Sequence, residues 1–99
     1  MGYKVVLTEA ARDDLGEIVR FIVHDDPRSA SNVGNEILDA ALSLTFLPRR
    51  GVAVRHRPGL RKLMHSYYLI FYQVNEAQQW VEVVRIWDGR KDPATLQLP

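Results

Sequence analysis

The chain has 99 residues, 46% of them hydrophobic and 25% charged, with no cysteine and a formal net charge of +1. That length supports one domain, residues 1–99, around one modest core. The lack of cysteine excludes a disulfide framework and fits a reducing cytoplasm, no apolar run reaches a spanning length, and Met1-Gly2-Tyr3-Lys4 opens no signal-peptide pattern, so no membrane association is expected.

Tyr3-Lys4-Val5-Val6-Leu7 is a short β-prone run. Thr8 follows as a helix N-cap, with Glu9 in the first turn where the helix dipole favours an anion. Ala11, Leu15, Ile18 and Ile22, flanked by Val19, recur at helical spacing, while Arg12, Asp13, Glu17 and Arg20 take the other side. Asp25-Asp26-Pro27 breaks this helix. Pro27 suits the first position of a second helix, and Asp26 its N-cap. The second helix carries Ala30, Val33, Ile37, Ala41 and Leu44, with Leu38 beside them, and Pro48 ends it. Gly34 inside it costs up to about 1 kcal/mol of helix propensity, which a close approach of the first helix would explain. So short a break makes the two helices an antiparallel hairpin.

Arg49-Arg50-Gly51 is a turn, and Leu60 to His65 reads as a half-exposed strand. Tyr67 to Val74 is apolar on both faces and belongs in the middle of a sheet. Asn75 to Gln79 is a polar link, and Trp80 to Trp87 completes a hairpin, closed by Asp88-Gly89 before a tail that starts at Asp92-Pro93. The order β-α-α-β-β-β defines an α+β protein with a helical hairpin packed on one face of a mostly antiparallel sheet.

The small net charge hides an asymmetry. Residues 1–47 carry eight acids and four bases, whereas residues 48–62 carry six bases and no acid: Arg49, Arg50, Arg55, Arg57, Arg61 and Lys62. Such a stretch is either a face for an anionic target or partner, or a solvated turn.

This order resembles the RelE/ParE toxin superfamily. The resemblance runs from Tyr3–Leu7 and Thr8-Glu9-Ala10-Ala11-Arg12-Asp13-Asp14-Leu15 through Asp26-Pro27, Leu47-Pro48-Arg49-Arg50-Gly51 and Pro58-Gly59-Leu60-Arg61. It ends in Tyr68–Val74 and in Val84-Arg85-Ile86-Trp87-Asp88-Gly89-Arg90-Lys91-Asp92-Pro93. It implies the toxin of a type II toxin–antitoxin system, a plasmid-stabilisation protein held inactive by a cognate antitoxin. RelE-like members are ribosome-dependent messenger-RNA nucleases. ParE-like members lack the nuclease residues, and those studied generally act on DNA gyrase.

Cleavage of RNA through its 2′-hydroxyl needs a base, a cation for the phosphorane and an acid for the leaving oxygen. RelE-like nucleases place an arginine after the tyrosine that opens the central strand, where this chain has Tyr68-Leu69. Relatives using a histidine carry it in the segment matching Ile86–Arg90, where this chain has Asp88. RelE has a functional tyrosine near its C-terminus, and residues 94–99 hold none. Arg90 and Lys91 still place positive charge at the matching strand end. His65 and His56 lie near the basic stretch, with His65 read as a surface residue at a strand end and His24 as structural at the end of the first helix. Three scattered histidines do not form a metal site, and no cofactor is expected.

Arg85 lies mid-strand, sharing a side by alternation with Val83 and Trp87. It either anchors an acidic group of a partner or pairs with Asp88, Asp92 or a helix acid. Trp87 is read as core, while Trp80 is an interface-prone aromatic. The residues expected to contact target or antitoxin are therefore Arg49, Arg50, Arg55, Arg57, Arg61, Lys62, Arg85, Asp88, Arg90 and Lys91, with none catalytic. The resemblance then implies a ParE-like gyrase inhibitor. A RelE-like endonuclease with a relocated catalytic set, and a degenerate toxin that only binds its antitoxin, are the alternatives, and direct nucleic-acid binding stays open.

Overall fold

The computed structural model describes residues 2–99, and Met1, the start of the N-terminal stretch read above, lies outside them. Strand β1 (Lys4–Leu7) leads into helices α1 (Glu9–Val23) and α2 (Pro27–Leu42). Strands β2 (Val52–Ala53), β3 (Leu60–His65), β4 (Tyr68–Asn75) and β5 (Trp80–Asp88) follow. They form one five-stranded sheet in the order β1-β5-β4-β3-β2, antiparallel except where β1 runs parallel to β5. The apolar strand read as central is central. The two-residue β2 adds a fourth strand after the helices that the sequence pattern did not reveal, being too short to show alternation.

Both helix starts follow from their caps. Thr8 Oγ1 accepts from Ala11 N at 3.1 Å and donates to Val84 O at 3.1 Å, tying the start of α1 to β5. Asp26 accepts from the backbone N–H of Arg28 and Ser29 and from the Ser29 hydroxyl at 2.7 Å, and these bonds, the hydroxyl foremost, hold its carboxyl below the usual range. The other end of α2 differs from expectation. The helix stops at Leu42, six residues before Pro48, and tightens into a 3-10 turn over Ser43–Thr45 that still buries Leu44. The Ser43 hydroxyl donates to Ala40 O at 2.6 Å, so the last carbonyls find a donor without further helix. At the helix crossing, a Cβ on Gly34 would lie 3.0 Å from Val19 Cγ2, the close approach that the glycine suggested.

The helices cover one face of the sheet. Ala11, Ile18, Ile37, Ala41 and Leu44 pack there on Leu63, Tyr68, Ile70, Tyr72, Val81, Val83 and Ile86. Tyr72 is fully buried, and its hydroxyl accepts from Gly51 N at 2.9 Å. Gly51 has no room for a side chain: a Cβ would sit 2.6 Å from that hydroxyl and 2.7 Å from Lys62 O.

Strict alternation fails in β5. The register passes from Phe71↔Arg85 to Tyr72↔Val83, leaving Val84 as an extra residue. Val83 and Ile86 both join the helix-side core, whereas Val84 and Trp87 belong to a second cluster on the opposite face. Arg85 therefore does not share a side with Val83. A β-bulge re-aims side chains in this way, and one inserted residue leaves no trace in composition.

The opposite face carries a smaller cluster of Leu60, Phe71 and Val84, with Val54, Leu69 and Trp87 around it. It is not open, because Leu96 and Leu98 from the C-terminal tail pack onto it.

Candidate functional site

The ten expected contact residues fall into two groups separated by the central strand. Arg49, Arg50, Arg55, Arg57, Arg61 and Lys62 lie on or beside β2 and β3, and Arg85, Asp88, Arg90 and Lys91 lie on or just after β5.

The first group is less free than its charge suggests. Arg49 pairs with Glu76 of the β4–β5 turn, which also accepts from the Tyr3 hydroxyl at 2.6 Å. Arg61 donates to Gly51 O at 2.8 Å and holds the turn before β2. Arg57 donates to Pro99 O at 3.0 Å. Arg50, Arg55 and Lys62 make no ion pair among the described residues. Arg50 and Lys62 flank a recess of about 260 Å³ with Val52, Met64 and Leu69. The free part of the basic stretch is thus three cations beside exposed apolar side chains, a surface suited to an acidic and apolar partner.

Arg85 settles on a helix acid. Its Nε and Nη2 meet both oxygens of Asp14 at 2.7 and 2.9 Å, and Asp14 Oδ2 also accepts from Ile86 N at 3.0 Å. The Asp14 bond raises the Arg85 pKa further, so this is a fixed, charged strut between α1 and the bulge. Its remaining Nη1 donates to Gln97 O at 3.0 Å. Asp14 escaped the sequence reading because its partner is 71 residues away.

The end of β5 forms a more defined site. Asp88 Oδ1 accepts from Arg90 Nε at 3.0 Å and Oδ2 from Arg90 Nη2 at 2.8 Å, with Arg90 N adding a third bond at 3.0 Å. The Arg90 side-chain bond lowers the Asp88 pKa, against a smaller opposing effect of burial, and Asp88 in turn raises that of Arg90. The Arg90 guanidinium lies 3.8 Å from the Tyr67 ring centre, and the Tyr67 and Tyr68 rings are 4.6 Å apart. Burial, and then Tyr67, pushes the Tyr68 hydroxyl up to about 12, so it stays protonated across the physiological range. Beneath Arg90 and Lys91, a recess of about 260 Å³ is floored by Ile18, Phe21 and Tyr68 and bounded by Glu17. Phe21 was missed in the sequence, although it is 71% exposed. The signal was an aromatic on the helix face otherwise taken by Arg12, Asp13, Glu17 and Arg20.

The other candidates lie apart. His65 Nε2 is 3.3 Å from Glu36 Oε2 on α2, His24 caps the exposed end of α1, and His56 sits in the β2–β3 loop. Leu69 packs half-buried in the outer cluster, as does Trp87, whereas Trp80 is 37% exposed at the hairpin end. No group of three or more His, Asp or Glu that could hold a metal ion occurs among the described residues, and no described helix is long and apolar enough to cross a membrane.

A helical hairpin on a mostly antiparallel five-stranded sheet is the architecture of the RelE/ParE toxins. Residues 5–93 match the family described as the ParE toxin of the type II toxin–antitoxin system parDE, and the chain belongs to that family. A relative named Toxin RelE1, from Caulobacter vibrioides, is 35% identical over 94 residues, covering 90% of this chain and 96% of its own. Among solved structures, the fold is similar to the chromosomal ParDE system of P. aeruginosa (TM-score 0.73, 20% identity, 85% of this chain and 92% of that one). It is also similar to the Mycobacterium tuberculosis toxin–antitoxin complex RelBE2 (0.67, 22%, 87% and 96%). Isolated E. coli RelE shares it too (0.64, 16%, 93% and 89%).

Proposed function

We propose that this toxin acts by binding its target, DNA gyrase, rather than by cleaving RNA, and that a cognate antitoxin neutralises it in the cytoplasm. The observation that carries this reading is the Asp88–Arg90 pair. A leaving-group acid must hold a proton near neutral pH, and Asp88 is pushed away from doing so. A phosphorane-stabilising cation works best uncompensated, and Arg90 commits two of its five N–H donors and its charge to Asp88. The one pair thus weakens two of the three groups that RNA cleavage requires. The match to the ParE family supports the same side.

Binding would use the recess under Arg90 and Lys91, with Phe21 as an exposed aromatic anchor. Arg50, Arg55 and Lys62 supply a second contact. Two similar structures belong to the ParDE and RelBE2 systems, the latter a toxin–antitoxin complex, which supports an antitoxin as partner. The competing reading, a RelE-like ribosome-dependent endonuclease, is favoured by the name of the 35% identical relative, Toxin RelE1.

The test is gyrase with relaxed plasmid DNA. The pure protein should block supercoiling, Phe21→Ala and Lys91→Ala should each relieve the block, and the co-expressed neighbouring gene product should abolish it. Full supercoiling at saturating toxin would refute the gyrase assignment.

A further inference from the structure

The recess beneath Arg90 and Lys91 carries charge that no neighbour answers. Four charged side chains bound it, and two of them, Asp88 and Arg90, are engaged with each other. Glu17 on α1 and Lys91 after β5 make no ion pair among the described residues. Lys91 leans instead over the Trp87 ring, its Nζ 6.0 Å from the centre, a weak substitute for a carboxylate. Arg85 feels Glu17, but its guanidinium is taken by Asp14, the first cause of its raised pKa. A smaller hollow of about 60 Å³ beside the recess shares Glu17, Ile18, Asp88 and Lys91 with it, so the two free charges border one continuous surface. The floor is apolar: Ile18 is 9% exposed and Tyr68 3%, while Phe21 leaves 71% of itself to solvent. An uncovered aromatic beside free charges of opposite sign defines its own complement.

We propose that the recess takes a segment of a protein partner that carries one large apolar side chain between an acid and a base on the same face. The apolar side chain packs on Ile18, Phe21 and Tyr68, the acid meets Lys91 and the base meets Glu17. In an extended segment that face is shared by every second residue, so the pattern is acid-x-apolar-x-base. The two kinds of contact do different work. Exposed ion pairs add little affinity, whereas burying an apolar side chain against an aromatic wall adds more, so the anchor holds the segment. The charges select it, because a segment with two acids sets one against Glu17 and a segment with two bases sets one against Lys91. This inference deepens the reading of the recess as the target-binding site and rests on it. The two fail separately: gyrase inhibition without peptide selection refutes only the pattern, and peptide selection without gyrase inhibition refutes only the gyrase assignment.

Peptides capped at both ends are titrated into the pure full-length chain, with the NMR signals of Phe21 and Tyr68 as readout. The wild-type chain should bind Asp-Ser-Phe-Ser-Lys severalfold tighter than the neutral Asn-Ser-Phe-Ser-Gln, the two-acid Asp-Ser-Phe-Ser-Asp and the two-base Lys-Ser-Phe-Ser-Lys. It should not bind Asp-Ser-Ala-Ser-Lys measurably. Glu17→Lys should move the preference to the two-acid peptide and Lys91→Glu to the two-base peptide, and added salt should flatten every preference. Equal binding of the mixed-charge and neutral peptides overturns the charge pattern, and equal binding of the alanine peptide overturns the anchor. A preference unmoved by both reversals, or no binding by any peptide, overturns the site. Phe21 signals that broaden with protein concentration alone would show a second copy on the recess, and stronger shifts from a single-stranded oligonucleotide would make it a nucleic-acid surface; each overturns the proposal. Should a reversal unfold the chain, Glu17→Gln and Lys91→Gln decide: loss of the preference upholds the pairing, and a retained preference overturns it.

Discussion

On the helix-bearing face of the sheet, twelve buried residues form one cluster, whereas the opposite face buries three and relies on a tail for their cover. The first face is closed by two capped helices whose crossing is tight enough that a Cβ on Gly34 would press on Val19. The second is closed by two half-buried leucines and two bonds from arginines to main-chain oxygens. The difference separates two jobs. Folding stability resides where large side chains interlock, and local opening costs least where closure is shallow. The Asp14–Arg85 strut joins the two, since it grips α1 on one side and the tail on the other.

Substitutions that bear on the two faces unequally test this division. Ile37→Ala, at a site with no exposure, should cost about 2–5 kcal/mol, read as a lower urea midpoint at unchanged slope. Asp14→Ala leaves Arg85 unpaired and Ile86 N without its acceptor, and should cost about 2 kcal/mol. It should also speed amide exchange in both α1 and the tail, and exchange confined to one of them would break the joining role. Leu98→Ala, half-buried, should cost about 1 kcal/mol. A loss as large as that of Ile37→Ala would erase the distinction between the faces.

The smallest expected effect is electrostatic. The folded pKa of Asp88 is depressed, so its contribution is present above the unfolded value of about 4 and is lost as pH falls through the folded value. Arg90 is more than half exposed, and solvent screens the pair and keeps its contribution small. Asp88→Asn should therefore lower stability slightly at pH 7 and make the acid limb of the stability curve shallower below pH ~4. An unchanged acid limb would mean that the pair does not depress Asp88.

What could be read from the sequence was local. The caps at Thr8 and Asp26, the central strand and the helix crossing at Gly34 each depend on neighbours within a few residues or on one strong apolar pattern. What could not be read depended on a single extra residue or on distant partners. The bulge at Val84 turned Arg85 away from Val83, and its acid lay on α1. Half of the six bases in residues 48–62 proved to be engaged with Glu76, Gly51 O and Pro99 O, contacts that no charge count can foresee. Asp88 beside Arg90 was legible as a depressed carboxylate, because both residues lie in one turn.

The central claim, that Asp88 and Arg90 neutralise each other and leave a binding surface without RNA-cleaving chemistry, meets its most direct test on programmed ribosomes. Pure toxin is incubated with ribosomes carrying a defined messenger RNA, and primer extension maps cleavage in the A site. The account predicts an intact message at toxin concentrations that stop gyrase supercoiling. Cleavage in the A site that disappears on replacing Arg90 or His65 would contradict it and make the chain a ribonuclease.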